Sequence, residues 1–242
     1  TGAYLTCAGS DSLEDLKFPA TIQEIGEMAF AGCAKFVEVT IPEQVINLNK
    51  GVFTSCTHLR KVVLSEGTYA IGDEAFKGCV TLERINIPKS TFRIGKSAFQ
   101  NCQQLRGIYL ADHIHVIEDR AFQECKMLEE IVLPKSLTVL SKGVLAQCVS
   151  LRTIKFNERL RVIEDEAFYE CRQLREITLP DSVQTIGEEA FMNCKNLRKV
   201  VLPEGLKKIG ASAFKDCEIL MVPYYPTTAI VGKNAFKGCK NR

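Results

Sequence analysis

An aromatic residue followed three places later by a cysteine returns along this chain at an almost constant interval. The aromatic position is held by Phe30, Phe53, Phe76, Phe99, Phe122, Leu145, Phe168, Phe191, Phe214 and Phe236, and every step is 23 residues except the last, which is 22. Cys33, Cys56, Cys79, Cys102, Cys125, Cys148, Cys171, Cys194, Cys217 and Cys239 follow in the same order. A fixed period of this size describes a solenoid, in which each repeat is one supersecondary unit that buries its apolar side chains only by stacking on its neighbours. The reading is therefore one domain over residues 1–242, with any function carried on its surfaces.

Within a repeat the apolar positions change period. After each cysteine they stand at plus three, plus six and plus eight, often with proline at plus nine, as in Leu174, Ile177, Leu179 and Pro180. Alternation with β-branched residues predicts a strand, and proline ends it. In the other half, Ile186, Ala190 and Cys194 lie four apart with Phe191 beside Ala190, which predicts a helical turn facing the core. Strand and helical turn in alternation predict parallel strands about 4.8 Å apart.

The ends are less regular. Residues 1–19 read as a degenerate first repeat, in which Leu13, Leu16, Phe18 and Pro19 fit, Ser10 replaces the cysteine and Cys7 takes the aromatic position. Residues 218–242 read as an irregular last repeat, since 221–226 puts Pro223 inside a predicted strand. A start at Thr1 and a stop three residues after Cys239 suggest a piece excised from something longer. Inside the array, Val144 and Leu145 exchange volume at the Ala-Phe pair. Asn49, Glu118, Ser141 and Glu164 replace a glycine that elsewhere follows the isoleucine, so a left-handed backbone is not obligatory there.

Composition excludes several roles. With 31 Lys and Arg against 29 Asp and Glu, the net charge of +2 gives no electrostatic case for nucleic acid. No apolar run approaches the roughly 20 residues that span a bilayer. The eleven cysteines are expected to be reduced: ten share one core position, where a thiol packs as a small hydrophobe. Metalloprotease, hydrolase, nucleotide-loop, Cys-x-x-Cys and EF-hand signatures are missing from the sequence, and no catalytic role, metal or cofactor is expected. His113 and His115, near Asp112 and Asp119, would face opposite sides of an extended segment, which spoils joint ligation.

Strand positions plus five and plus seven should point away from the core. The plus-seven row reads Lys17, Thr40, Val63, Asn86, Tyr109, Val132, Lys155, Thr178, Val201 and Tyr224, and its chemistry changes at almost every step. A surface mixing tyrosine, valine and both charges suits a protein partner. The plus-four row holds Arg152, Arg175 and Arg198 in succession, which could receive a carboxylate or sulfate unless Glu129, Glu170 and Glu176 neutralise them.

The Leu-x-x-Ile-x-Leu core of residues 174–179 matches the leucine-rich repeat consensus. Leu197, Val200, Leu202, Pro203, Ile209-Gly210, Ala213-Phe214 and Cys217 resemble the BspA-like class, and the resemblance runs from Leu13 to Cys239. It implies an α/β repeat solenoid, a curved right-handed array of about ten 23-residue units with a parallel sheet on the inner face and short helical turns or irregular segments outside. It further implies a monomeric protein- or glycan-binding module of a bacterial cell-surface or secreted protein, contacting a host ligand such as extracellular matrix. On that reading the binding face comprises Tyr109, Val132, Lys155, Thr178, Val201 and Tyr224 with Arg152, Arg175 and Arg198 beside it. A structural spacer, or a substrate-recruiting module of a larger enzyme, would carry the same repeats.

Overall fold

Repeats of one length can share a core only if equivalent residues fall on top of one another, and the backbone shows that they do. The computed structural model describes residues 15–16, 18–19 and 21–240. The strands read from the sequence form a first row: Asp15–Leu16, Glu38–Thr40, Lys61–Val63, Arg84–Ile85, Gly107–Ile108, Glu130–Val132, Thr153–Lys155, Glu176–Thr178 and Lys199–Val201. Pairing within the row is parallel and registered at one repeat, as in Lys61↔Arg84, Ile131↔Ile154 and Thr178↔Val201, and the ladder is interrupted after Arg84–Ile85 and after Thr153–Lys155. Among the described residues the row has nine strands, so about eight turns separate its first strand from its last. The degenerate repeat read over 1–19 lies mostly outside the described residues. At the other end the ladder gives way to an isolated bridge, Met221↔Lys240, where Pro223 cannot donate a hydrogen bond.

A second row of strands occupies part of the segment expected to lead into a helical turn. It runs through Asn47–Leu48, Ala70–Ile71, Arg93–Ile94, Val116–Ile117, Val139–Leu140, Val162–Ile163, Thr185–Ile186, Lys208–Ile209 and Ile230–Val231. Its final pairing, Lys208↔Ile230, absorbs the 22-residue step. The row is interrupted between Val116–Ile117 and Val139–Leu140. There the Ser141 hydroxyl donates to Ile117 O at 2.6 Å, a carbonyl position that elsewhere takes a backbone N–H, as in Gly187 N to Ile163 O at 2.7 Å.

No α-helix occurs among the described residues, which corrects the helical-turn expectation. The reason is spacing. Strands on two sides of each coil fix the rise at about 4.8 Å, whereas packed helices need axes about 8–10 Å apart. Rings of the aromatic row repeat at 4.9 to 5.6 Å, so this third side also advances by about one strand spacing. The chain meets that limit with linked tight turns. Positive φ occurs two residues before and two after the aromatic in every described repeat, for example Glu189 at 54° and Asn193 at 61° around Phe191. Amides then alternate in direction: Glu189, Phe191 and Asn193 donate to Ala211, Ala213 and Lys215 of the next coil, while Met192 and Cys194 donate back three residues. A non-glycine residue in this conformation costs on the order of 1 kcal/mol, offset by this third inter-coil ladder and by burial of the aromatic.

The core is a continuous seam. Phe53, Phe76, Phe99, Phe122, Phe168, Phe191 and Phe214 are all fully buried, and adjacent rings stack within 11° of parallel. Leu145 interrupts the stack without opening the core, since it and Val144 remain buried. Cysteine has a specific place here. Each thiol from Cys56 to Cys239 donates to the carbonyl of the aromatic-row residue one coil back, as Cys194 does to Phe168 O at 3.2 Å. The same carbonyl already accepts Cys171 N at 3.1 Å, so the thiol engages its second lone pair. These nine cysteines are free; Cys33 is instead disulfide-bonded, which departs from the all-reduced expectation. Hydrogen bonding to Cys56 and then burial push the Cys79 thiol well above its usual range, burial does the same for Cys102, Cys125 and Cys171, and it pushes Cys148 and Cys194 up to about 12.

The glycine after the isoleucine answers to close approach rather than to left-handed backbone. A Cβ on Gly187 would lie 2.5 Å from Asp165 N and from Glu164 C of the preceding coil. Gly187→Ala is therefore expected to destabilise by about 1–3 kcal/mol, the usual cost of forcing extra volume into packed backbone, as measured by urea unfolding; unchanged stability would show that the coils slide apart freely. The thiol ladder makes a second prediction. An unfolded thiol ionises near about 8.5, the raised thiols only at higher pH, so the stability they contribute is full below the unfolded value and falls as pH rises through it. The slope is up to about 1.4 kcal/mol per pH unit for each buried thiol. Unfolding at pH 8 and pH 10 under reducing conditions should reveal that decline, and Cys148→Ala/Cys194→Ala should flatten it.

Candidate functional site

With the core rows stacked, the alternating strand residues are forced outward in rows of their own. On the first-strand face Ile108, Ile131, Ile177 and Val200 point in and are buried, while Tyr109, Val132 and Val201 point out. Registered pairing sets Val132 beside Lys155 and Thr178 beside Val201, one coil apart. Tyr109 is 72% exposed and Val132 50%, and Lys155 and Thr178 are exposed as well. Tyr224, 68% exposed, stands past the end of the ladder near Met221, which is also exposed. Of the plus-seven row, Lys17 lies outside the described residues.

The face is shallow. Gly107, which has no atom within 4 Å of the place its Cβ would occupy, leaves a gap next to Tyr109 shared by two depressions. One is bordered by Lys61, Val63 and Asn86, the other by Arg106, Glu129 and Arg152. A third, beside Tyr224, is lined by Glu176, Arg198, Lys199 and Met221. None encloses a small molecule. Asn86 is committed to the fold, with its side-chain oxygen accepting from Leu64 N at 2.7 Å and its nitrogen donating to Leu64 O at 2.9 Å.

The arginine row divides. Arg198 donates through Nη2 and Nε to Glu176 Oε1, at 2.8 and 3.1 Å. Glu170 turns instead to Arg172 at 3.0 Å. No ion pair among the described residues engages Arg152 or Arg175, so the expected neutralisation reaches only one of the three.

A second exposed feature escaped the sequence reading. On the second-strand face, at one position of successive repeats, Tyr69, Phe92 and His115 stack with ring centroids 5.5 and 4.7 Å apart, and exposed Ile46 continues the row. His115 also places Nδ1 2.7 Å from His113 O, away from any metal geometry. The signal was available, since three aromatic rings share one repeat position, but the position was assigned to a helical lead-in. Among the described residues no group of three His, Cys, Asp or Glu could hold a metal ion, and no helix is long and apolar enough to cross a membrane. A thiol pushed up to about 12 by burial, as at Cys194, is not a nucleophile at neutral pH.

Two parallel strand rows, an aromatic and a cysteine seam, and one variable outward face define a leucine-rich repeat protein. The BspA type leucine rich repeat region, in six copies, matches residues 6–129 and 115–242. The chain belongs to that family. Among solved structures, a leucine-rich repeat protein from Bacteroides ovatus superposes with a TM-score of 0.65 at 24% identity, covering 93% of this chain and 84% of that one. The T. pallidum leucine rich repeat protein gives a TM-score of 0.56 at 28% identity over 76% of this chain and 78% of the other. A leucine rich cell surface protein from Faecalibacterium prausnitzii gives 0.54 at 20% identity over 84% and 79%. No curated relative matches at comparable significance.

Because Tyr109 and Tyr224 stand outside the core, removing their rings should leave folding intact. Tyr109→Ala and Tyr224→Ala are each expected to change unfolding free energy by no more than about 0.5 kcal/mol. A larger loss in denaturant titration would assign those rings to the fold instead of to a surface role.

Proposed function

We propose that this chain is a non-enzymatic recognition module whose first-strand face binds a protein partner, in the setting of a cell-surface or secreted protein. The observation that carries the reading is the pairing of highly exposed Tyr109 with exposed Val132 on a backbone held by parallel pairing to neighbouring coils. Large apolar side chains at such positions contribute nothing to the core, and tyrosine is enriched where interfaces concentrate their energy. The outward rows vary while the inward rows do not, which is the pattern of a scaffold carrying a surface with its own requirements. The surface location draws support from the relative described as a cell surface protein.

The mechanism is preorganisation. A partner meets a face held by two registered runs of strands, Gly107 to Lys155 and Glu176 to Val201, so little backbone entropy is lost on docking. Tyr109 and Val132 act as anchors at one end and Val201 and Tyr224 at the other, with Lys155 and Thr178 between them supplying polar contacts. The whole of 1–242 acts as one module, because no coil has a core of its own.

The test compares capture of extracellular-matrix proteins by the native chain and by Tyr109→Ala/Tyr224→Ala. Loss of two anchors at about 1–2 kcal/mol each corresponds to affinity lower by at least about tenfold. Equal capture by both forms would remove the face from recognition and leave a spacer.

A further inference from the structure

Beside the tyrosine row, the first-strand face carries an uneven charge, and we infer that its C-terminal half is a docking strip for an anionic glycan, one bearing sulfate or carboxylate on its sugar units. Across positions plus four, plus five and plus seven, the repeats from Glu38 to Val132 hold Arg60, Lys61, Arg84 and Arg106 against Glu38, Glu83, Glu129 and Glu130. That half is neutral. The next three repeats hold Arg152, Lys155, Arg175, Arg198 and Lys199 against Glu176 alone. A chain of net charge +2 thus gathers an excess of four positive charges on three coils of one face.

The cations are available. Arg152 and Arg175 take part in no ion pair among the described residues, and Glu176 is shared only with Arg198. Guanidiniums one coil apart repel by roughly 1 kcal/mol in water, reduced further by salt, and an anion set between two of them reverses that sign. The hydroxyls set among these cations favour a glycan over an acidic peptide. The first-strand ladder is interrupted between Thr153–Lys155 and Glu176–Thr178, so Arg152 and Arg175 flank a break in the sheet, while Arg198 follows Arg175 by one registered coil. Exposed Thr153 and Thr178 lie among the cations and can exchange hydrogen bonds with sugar hydroxyls.

The strip rests on the reading of this face as a binding surface and shares Lys155 and Thr178 with it, but it depends on the arginines and not on the tyrosine anchors. Binding of a heparin decasaccharide, a hyaluronan decasaccharide and poly-L-glutamate is measured at about 0.15 M ionic strength and again at higher salt. The native chain should bind heparin or hyaluronan more weakly as salt rises; since both carry carboxylates and only heparin carries sulfate, tighter heparin binding assigns the strip to sulfated glycans and comparable binding assigns it to uronate carboxylates. Arg152→Gln/Arg175→Gln/Arg198→Gln should bind at least about tenfold more weakly. Arg161→Gln/Lys207→Gln/Lys208→Gln removes the same charge from the second-strand side and should stay within about twofold, as should Tyr109→Ala/Tyr224→Ala. No glycan binding, equal loss in both charge-depleted variants, or equally tight poly-L-glutamate would overturn the inference. Absence of glycan binding while the tyrosine variant loses protein capture would overturn the strip alone, and glycan binding lost with the arginines while the tyrosine variant captures protein as well as the native chain would overturn the protein anchors alone.

Discussion

The governing constraint is the rise per coil. Parallel strands on two sides of each turn advance by one strand spacing, and the third side has no freedom to advance by more. From this follow the stacked phenylalanines, the paired positive-φ residues around each of them, the exclusion of helices, and the glycines that let one coil approach the backbone of the last. Where a glycine is replaced, the substitute forms its own inter-coil hydrogen bond, as Asn49 does to Ile25 O and Ser141 to Ile117 O.

Cysteine is the residue on which this constraint acts most visibly. A position between packed coils must be small, apolar and able to donate to a carbonyl lying one coil back; a thiol meets all three conditions, whereas alanine lacks the donor. Nine free thiols in a row would suggest redox chemistry in another fold. Here burial holds Cys102, Cys125, Cys148, Cys171 and Cys194 protonated, and all nine thiols serve as rungs.

Because the inward rows are bound by packing, diversity is confined to the outward ones. The first-strand face changes from neutral and tyrosine-bearing near Tyr109 to cationic around Arg152 and Arg175. The second-strand face has a separate stack of Tyr69, Phe92 and His115, whose ring faces are largely spent on one another and whose edges meet solvent. A quasi-one-dimensional scaffold permits this, since substituting an outward residue disturbs at most its neighbouring coils.

Much of this was legible in the order of residues. A constant period placed every buried phenylalanine and cysteine, and alternation about Ile131 and Ile177 placed Tyr109, Val132, Thr178 and Val201 on the outward face. The second strand row and its aromatic stack were not legible, because an apolar residue every four positions fits a helical turn as well as a strand joined to a tight turn. Sequence by itself determined which residues stack, since a repeated pattern has one way to share a core. Tertiary structure decided what lies between the stacked rows and which arginines stay unpaired, because coil spacing and the reach of each carboxylate are distances that no pattern of letters contains.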